Sequence, residues 1–480
     1  MPATVAPTLR PAVGSRMENV FAKQRARAPA LRTSSAAARI TQLRKLLDAV
    51  ERRTPAIYAA AAADFRKPEA EVDLTEIFPV VSEIRHTIRH LRGWMRPTWV
   101  RPTLPMLGTS AEIRYEPRGV CLIIAPWNYP INLAFGPLTS AIAAGNTAII
   151  KPSEMTPNLS RVTREIAEDC FDESEVAVFE GDASVATALQ ELPFDHVFFT
   201  GSPAVGRLVM AAAARHLTSV TLELGGKSPT IVDASANVAK AARNIMWGAF
   251  SNNGQTCIAP DYILVHESIR DRFIAESVTW IEKAYGSTVA AQRRNADYCR
   301  IVSDRHYTRI TGLLDDAIAR GAKLAYGGAL DPGQRFIGPT LLTDVPADSR
   351  IMEQEIFGPV VPIITWRDLG EAIAIVNAKP KPLALYIYSR SRTNIARVLA
   401  ETTAGDTVIN HSLLHFLHLN LPFGGVNTSG IGKSHGHFGF LAFSHQRSVL
   451  RERFSVVHWM FPPYTDRVRR LIKLTLRFFT

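Results

Sequence analysis

The chain has 480 residues, a formal net charge of +11 at neutral pH, 46% hydrophobic residues and 21% charged ones. Domains commonly run to about 100–200 residues, so two or three cooperating units are expected, and the composition excludes a disordered or fibrous chain. The four cysteines (Cys121, Cys170, Cys257 and Cys299) are scattered without a CxxC pair, which excludes a disulfide framework and a zinc site, and the dispersed basic residues carry no nucleic-acid-binding signature.

In chain order, residues 1–15 hold Pro2, Pro7 and Pro11 and read as a disordered extension. The stretch 1–35 is rich in Ala and Arg with Glu18 as its only acid, a composition it shares with organellar transit peptides; the preferred reading is an ordinary lead followed by a basic first helix. No continuous apolar segment resembles a secretory signal, and no run reaches the ~18 residues of a spanning helix, so a cytoplasmic protein is expected. Residues 37–65 predict one or two Ala-rich helices. Asp73 with Glu76 forms a capping box for a helix with Leu74, Ile77, Val81, Ile84, Ile88 and Leu91 on one face, kinked by Pro79. Pro97, Pro102 and Pro105 mark an extended arm, and 111–116 alternates as a strand does.

From Gly119 onward, short apolar runs at 120–124, 147–150, 176–179 and 196–199 are separated by helical stretches. Such alternation predicts a parallel sheet flanked by helices. A second series at 230–232, 262–265 and 360–365 predicts another α/β unit packed closely on the first. The run 422–432 is glycine-rich and turn-forming. After Phe461-Pro-Pro-Tyr464, residues 466–480 form a helix with Arg469, Arg470, Lys473 and Arg477 on one arc and Val468, Leu471, Ile472, Leu476 and Phe479 on the other. That pattern suits a helix lying on a membrane surface, and equally one docked on the protein itself.

Two segments suit a dinucleotide. The stretch from His196 through Thr200, Gly201, Ser202 and Pro203 to Gly206 reads strand, tight turn, helix, with Ser202 as N-cap and Pro203 at the first helical position. Free N–H groups there favour a phosphate, although the glycine spacing is not GxGxxG. Lys151 and Glu154 end another strand at the same edge and suit the two hydroxyls of a ribose; the carboxylate repels a 2′-phosphate, which favours NAD over NADP.

The chemistry centres on Cys257, in Gln-Thr-Cys-Ile-Ala-Pro, and Glu223, in Leu-Glu-Leu-Gly-Gly-Lys. A thiol nucleophile makes an aldehyde carbon tetrahedral, so that hydride can leave, and a carboxylate base then delivers water to the thioester. Asn128, in Ala-Pro-Trp-Asn-Tyr-Pro, and the Cys257 backbone N–H are candidate oxyanion donors. Gly225 and Gly226 leave the carboxylate room to move. Glu355 and Phe357 are read beside a ribose and the nicotinamide.

Taken together, these segments resemble the aldehyde dehydrogenase superfamily from about residue 37 to 450, with six motifs in the family's order. Gln255 through Tyr262, His435-Gly436 and Phe443 through Ser448 resemble its class 3 branch, and the Pro-Pro-Tyr tail resembles bacterial coniferyl and fatty aldehyde dehydrogenases. The resemblance implies Cys257 as nucleophile, Glu223 as general base and Asn128 as oxyanion donor. It also implies cofactor contacts from Lys151, Glu154, Gly201, Ser202, Gly206, Glu355 and Phe357, no metal, and NAD with NADP possible, since the class 3 branch often accepts either. The implied fold is α/β: a Rossmann-like NAD-binding domain over 16–222 with a bridging β arm at about 97–118, then an α/β catalytic domain over 223–411. Residues 412–450 return to the NAD-binding and oligomerisation region, and 451–480 form an amphipathic tail. A homodimer and peripheral membrane contact through that tail complete the expected partners, beside the small-molecule aldehyde.

Three departures bear on the substrate. Asn427 stands where the family commonly has glycine, His411 where an acidic or small residue is usual, and 413–421 is unusually apolar, which suits a long-chain, aromatic or isoprenoid aldehyde. Competing readings are acyl transfer to coenzyme A, against which Glu223 speaks, a Cys257–histidine hydrolase, for which no histidine motif is present, and a non-catalytic binding protein with the same fold.

Overall fold

The computed structural model describes residues 11–103, 106–455 and 457–479. Residues 1–10, most of the expected extension, lie outside it. The remainder of that extension is helical, because the first helix already begins at Pro11 and runs to Arg32. It is held on the first sheet by Met17, Val20 and Phe21, and Gln24 Nε2 donates to the Ala148 carbonyl at 2.9 Å.

The first sheet has six strands in the order Gly430–Ile431, Ser219–Leu224, His196–Gly201, Val120–Ile124, Thr147–Lys151 and Val176–Val178. All pair in parallel except Gly430–Ile431. Both faces of these strands are covered, which is why they read as unbroken apolar runs rather than alternating ones. Cys121, Ile123, Ala148 and Ile150 point into one core with the helices Ala36–Phe65, Phe78–Trp94, Asn132–Ala144 and Pro157–Cys170. Val120, Leu122, Ile124 and Ile149 point into the opposite core, beneath Pro11–Arg32 and Pro203–Ala214. The chain leaves Val120–Ile124 towards Thr147–Lys151 on one side and later returns to His196–Gly201 on the other. The ends of these two central strands therefore frame a crevice of the kind that binds ligands in doubly wound folds.

A second sheet of seven strands follows after Leu224, in the order Lys323–Tyr326, Thr340–Thr343, Val360–Trp366, Tyr262–His266, Pro229–Val232, Ala384–Tyr388 and Asp406–Ile409. Only Lys323–Tyr326 runs antiparallel to its neighbour. A three-stranded antiparallel arm joins Thr98–Val100, Thr109–Pro117 and Ser444–Glu452, with register running from Ser444 opposite Pro117 to Glu452 opposite Thr109. Two α/β units and a β arm are the architecture that the sequence resemblance implies.

The Asp73–Glu76 pair does not cap a helix. The chain is already helical at Glu69 and passes through a π-helical turn, Asp73–Ile77, into Phe78–Trp94. Asp73 accepts the Tyr58 hydroxyl at 2.5 Å, and Glu76 turns inward to pair with Lys67 at 3.1 Å, both side chains being essentially sealed from solvent. Its other oxygen accepts the backbone N–H groups of Ile131 (3.2 Å) and Asn132 (3.0 Å). A buried ion pair left with one partner costs about 3–5 kcal/mol, so this one fixes the turn just beyond Asn128.

The tail helix Asp466–Phe479 half-buries Val468, Leu471 and Ile472, next to the short turn Val457–Met460. Leu474, Leu476 and Phe478 remain exposed, as do Trp459 and Phe461.

Candidate active site

Four of the singled-out residues lie at the carboxyl edge of the first sheet because the strands end there. Val120–Ile124 leads directly into Ala125-Pro126-Trp127-Asn128, and Ala125 N–H donates to the Lys151 carbonyl at 3.0 Å. Lys151, Gly201 and Glu223 stand at or beside the last residue of three other strands of the same sheet.

Cys257 approaches this edge from the second unit on a tight curl. Asn252 (φ 52°), Asn253 (φ 57°) and Gly254 (φ 71°) are consecutively left-handed, a conformation that asparagine tolerates and glycine adopts freely. A Cβ on Gly254 would stand 2.4 Å from the Gly358 carbonyl oxygen, so the curl packs backbone to backbone. Buried Gln255 locks it: Nε2 donates to the Asn252 and Arg300 carbonyls at 3.0 Å each, and Oε1 accepts Val302 N–H at 2.9 Å. Asn128 is laced to the same curl. Its Nδ2 donates to the Gln255 carbonyl at 3.1 Å, and its own carbonyl accepts Asn252 Nδ2 at 3.0 Å. One amide hydrogen of Asn128 is thereby used and fixes the direction of the other.

Burial dominates the electrostatics. The Cys257 thiol is pushed well above its ordinary value, first by desolvation and then by the charges of Glu355 and Glu223. Glu223 is pushed up to about 8 by burial and by Asp406, against the lowering effects of the Ser434 hydroxyl and Lys433. Ser434 Oγ donates to Glu223 Oε1 at 2.9 Å, while Oε2 is buried without a hydrogen-bond partner. Glu355 is also pushed up to about 8, by burial and by Asp261. Gly226 N–H donates to it at 3.3 Å, and a Cβ on Gly225 would fall 2.2 Å from Glu355 Oε2, so the missing side chain leaves the space this carboxyl occupies. The Lys227–Asp261 pair and Arg309 hold the backbone around Glu355: Lys227 donates to the Gln354 carbonyl at 3.2 Å and Arg309 to those of Glu355 (3.1 Å) and Ile356 (2.7 Å). Phe357 is left-handed (φ 49°) and meets the Trp127 ring edge-on at 5.3 Å.

At the other end of the edge, Lys151 is buried and paired with half-exposed Glu154 at 2.8 Å. Ser202 Oγ accepts Val205 N–H at 3.4 Å and starts the helix Pro203–Ala214. A Cβ on Gly206 would lie 2.6 Å from Leu224 Cδ2, so this glycine lets helix and strand close on one another.

A cavity of about 290 Å³ opens onto Cys257 and Glu223. Its walls are largely apolar and include Phe78, Leu133, Trp247, Leu413, Phe416 and Leu417. Asn128 and the seven residues read as cofactor contacts do not line it, whereas Thr200, Leu224 and Ser434 do.

The model of the aldehyde dehydrogenase family matches residues 3–449. The chain belongs to this family. It is 44% identical over 431 residues to the 4,4′-diaponeurosporen-aldehyde dehydrogenase of Staphylococcus aureus, covering 89% of this chain and 92% of the relative. It is 41% identical over 431 residues to mouse aldehyde dehydrogenase family 3 member A2, covering 89% and 87%. The substrate-bound structure of Staphylococcus aureus AldH superposes with a TM-score of 0.91 at 42% identity, over 96% of this chain and 99% of that one.

This aldehyde dehydrogenase accommodates each of the three unusual features of its sequence locally. Asn427 takes a left-handed conformation (φ 56°) and accepts Lys381 Nζ at 2.9 Å. His411 turns its ring against Trp247, with centroids 6.0 Å apart. The apolar run 413–421 contributes Leu413, Leu414, Phe416, Leu417 and Leu419 to the cavity wall. Ser434 was not singled out from the sequence, since a serine beside a lysine in a glycine-rich run carries no signal of its own.

The coupling of Cys257 to Glu355 predicts a labelling rate. Above pH 8, where Glu355 is ionised, Glu355→Gln removes a negative charge beside the sulfur and lowers the thiol's pKa. Alkylation of position 257 by iodoacetamide at pH 9, followed by peptide mass spectrometry, is expected to speed up several-fold over wild type. An unchanged or slower rate contradicts the electrostatic assignment.

Proposed function

We propose that this aldehyde dehydrogenase oxidises apolar aldehydes (long-chain, aromatic or isoprenoid) to their carboxylic acids. Cys257 gives up its proton to water, and the thiolate sulfur then adds to the aldehyde carbon, the carbonyl π pair moving onto oxygen. The oxyanion formed is met by the free Nδ2 hydrogen of Asn128 and the Cys257 N–H; losing one such donor typically costs ~3 kcal/mol of transition-state stabilisation. As the C=O re-forms, hydride leaves the carbon and a thioester remains on Cys257. Water then attacks, Glu223 takes its proton, the C–S bond breaks and the acid departs.

NAD or NADP supplies the acceptor for that hydride. The helix start at Gly201-Ser202-Pro203, beside Gly206, fits a pyrophosphate, and Lys151 with Glu154 fits the adenosine ribose. Glu355 in the space above Gly225 fits the second ribose, with Phe357 beside the nicotinamide. The half-exposed Glu154 carboxylate disfavours a 2′-phosphate, which supports NAD as the better cofactor.

The observation that carries the substrate class is the apolar cavity wall leading to Cys257 and Glu223. The Staphylococcus aureus relative, named a 4,4′-diaponeurosporen-aldehyde dehydrogenase, supports the same reading. A panel of decanal, coniferaldehyde and acetaldehyde, read by NADH and NADPH formation with Cys257→Ser as control, tests it. The expected result is kcat/KM for decanal or coniferaldehyde at least tenfold above acetaldehyde, with free acid formed in the absence of coenzyme A. Preference for acetaldehyde overturns the substrate class, and acid formation that depends on coenzyme A overturns the hydrolytic step.

Two further readings concern assembly. The solvent-facing arm, with Trp99, Val100 and Leu450 exposed, supports a homodimer. The basic and apolar arcs of Asp466–Phe479 support contact with an anionic lipid surface; no described helix is long and apolar enough to cross a membrane. Sedimentation reads both: a dimer alone, and co-sedimentation with phosphatidylserine vesicles that is lost on removing residues 466–480. A monomer, or binding that survives the truncation, contradicts the respective reading.

A further inference from the structure

Glu223 faces a problem that burial creates. A base that receives a proton must be held both as carboxylate and as carboxylic acid, and few polar atoms surround it. Ser434 is its one hydrogen-bond partner among the described side chains, donating to Oε1 at 2.9 Å. The same hydroxyl has a second acceptor, the Phe423 carbonyl, at 3.4 Å. The Ser434 backbone cannot drift, because it forms an antiparallel bridge with Phe423: Ser434 N–H donates to the Phe423 carbonyl at 2.8 Å, and Phe423 N–H to the Ser434 carbonyl at 3.3 Å. Rotation about the Cα–Cβ and Cβ–O bonds is therefore the only freedom the hydroxyl needs to change partners.

We propose that Ser434 is the positioning residue of the acyl-release step, its hydroxyl turning between Glu223 and the Phe423 carbonyl as the carboxyl loses and gains the proton of the attacking water. With Glu223 ionised, Ser434 donates to it. When water adds to the thioester, the new C–O bond forms, the C–S bond breaks, sulfur leaves as thiolate and the water proton passes to Glu223. The carboxyl then donates to Ser434 Oγ, and the serine proton turns to the Phe423 carbonyl. A hydroxyl can serve both states because it is donor and acceptor at once.

The charged groups around Glu223 set the direction of each test. Lys433, whose Nζ donates to the Gly424 carbonyl, favours the carboxylate. Asp406, which accepts Gly424 N–H at 3.4 Å, opposes it, and the Cys257 thiol lies close enough to feel its charge. Losing the Ser434 donor therefore moves the titration of Glu223 upward, and losing the Asp406 charge moves it downward.

This inference rests on Glu223 as the base of the proposed oxidation, and the experiment separates the two. Wild type, Ser434→Ala, Ser434→Thr, Asp406→Asn and Glu223→Gln are compared with decanal and NAD by stopped flow and by steady-state rate against pH. For Ser434→Ala the first-turnover burst of NADH is expected to match wild type in amplitude and rate, which also counts folded sites. Its steady-state kcat at pH 7 is expected to fall about tenfold, the loss of a hydrogen bond to a charged group, with the midpoint of the pH profile displaced upward. Ser434→Thr is expected to restore both, and Asp406→Asn to displace the midpoint downward. Burst and kcat falling together in Ser434→Ala, or a pH profile left in place, overturns the role of Ser434. A Glu223→Gln enzyme that still turns over at the wild-type rate overturns the underlying reading instead.

Discussion

A thiol and two carboxyls meet at one edge, Glu223 buried and Cys257 and Glu355 half-buried, and charge on all three at once is disfavoured there. Desolvation raises Cys257, Glu223 and Glu355 together, and the carboxylates raise the sulfur further. The rest of the site follows from this constraint. Desolvation and the neighbouring carboxylates favour the thiol over the thiolate. A carboxyl with its midpoint lifted to about 8 is a stronger base than an exposed one, so it accepts a proton from water more readily once ionised. What would be a defect in an ordinary core is, under the proposed function, what makes Glu223 a base strong enough to take a proton from water.

The fold holds these groups by spending polar contacts on backbone rather than on the reactive atoms. Gln255 saturates the curl that presents Cys257, and Glu76, itself neutralised by Lys67, saturates the turn beyond Asn128. Lys227, Asp261 and Arg309 do the same around Glu355. The reactive side chains thus keep few partners of their own: Glu223 has Ser434, and its second oxygen has none. The two sheets meet along this framework, which brings Cys257 from one unit to Glu223 and Asn128 of the other.

Much of this was legible in the sequence because it is local. Buried parallel strands leave unbroken apolar runs, and glycine-flanked Cys257 and Glu223 advertise themselves by residue type. The strands Ala384–Tyr388 and Asp406–Ile409 escaped notice, the first because Pro380 and Pro382 precede it and suggest a turn, the second because it is short and half polar. Glu76 departs from its sequence expectation for a different reason. Its spacing from Asp73 fits a cap, but Lys67, nine positions earlier, draws it into the core. The Ser434–Glu223 contact joins residues 211 positions apart and is written in no local pattern. The apolar run 413–421 is visible in the sequence and does line the cavity, whereas the contribution of Phe78, Leu133 and Trp247 arises only from the folding of distant helices.

The central claim is that an acyl group rests on Cys257 until Glu223 lets water remove it. Glu223→Gln, mixed with decanal and NAD and quenched in acid, should carry one decanoyl group per chain, and peptide mass spectrometry should find it at position 257. The same variant without that adduct, or with it on another residue, would contradict the account.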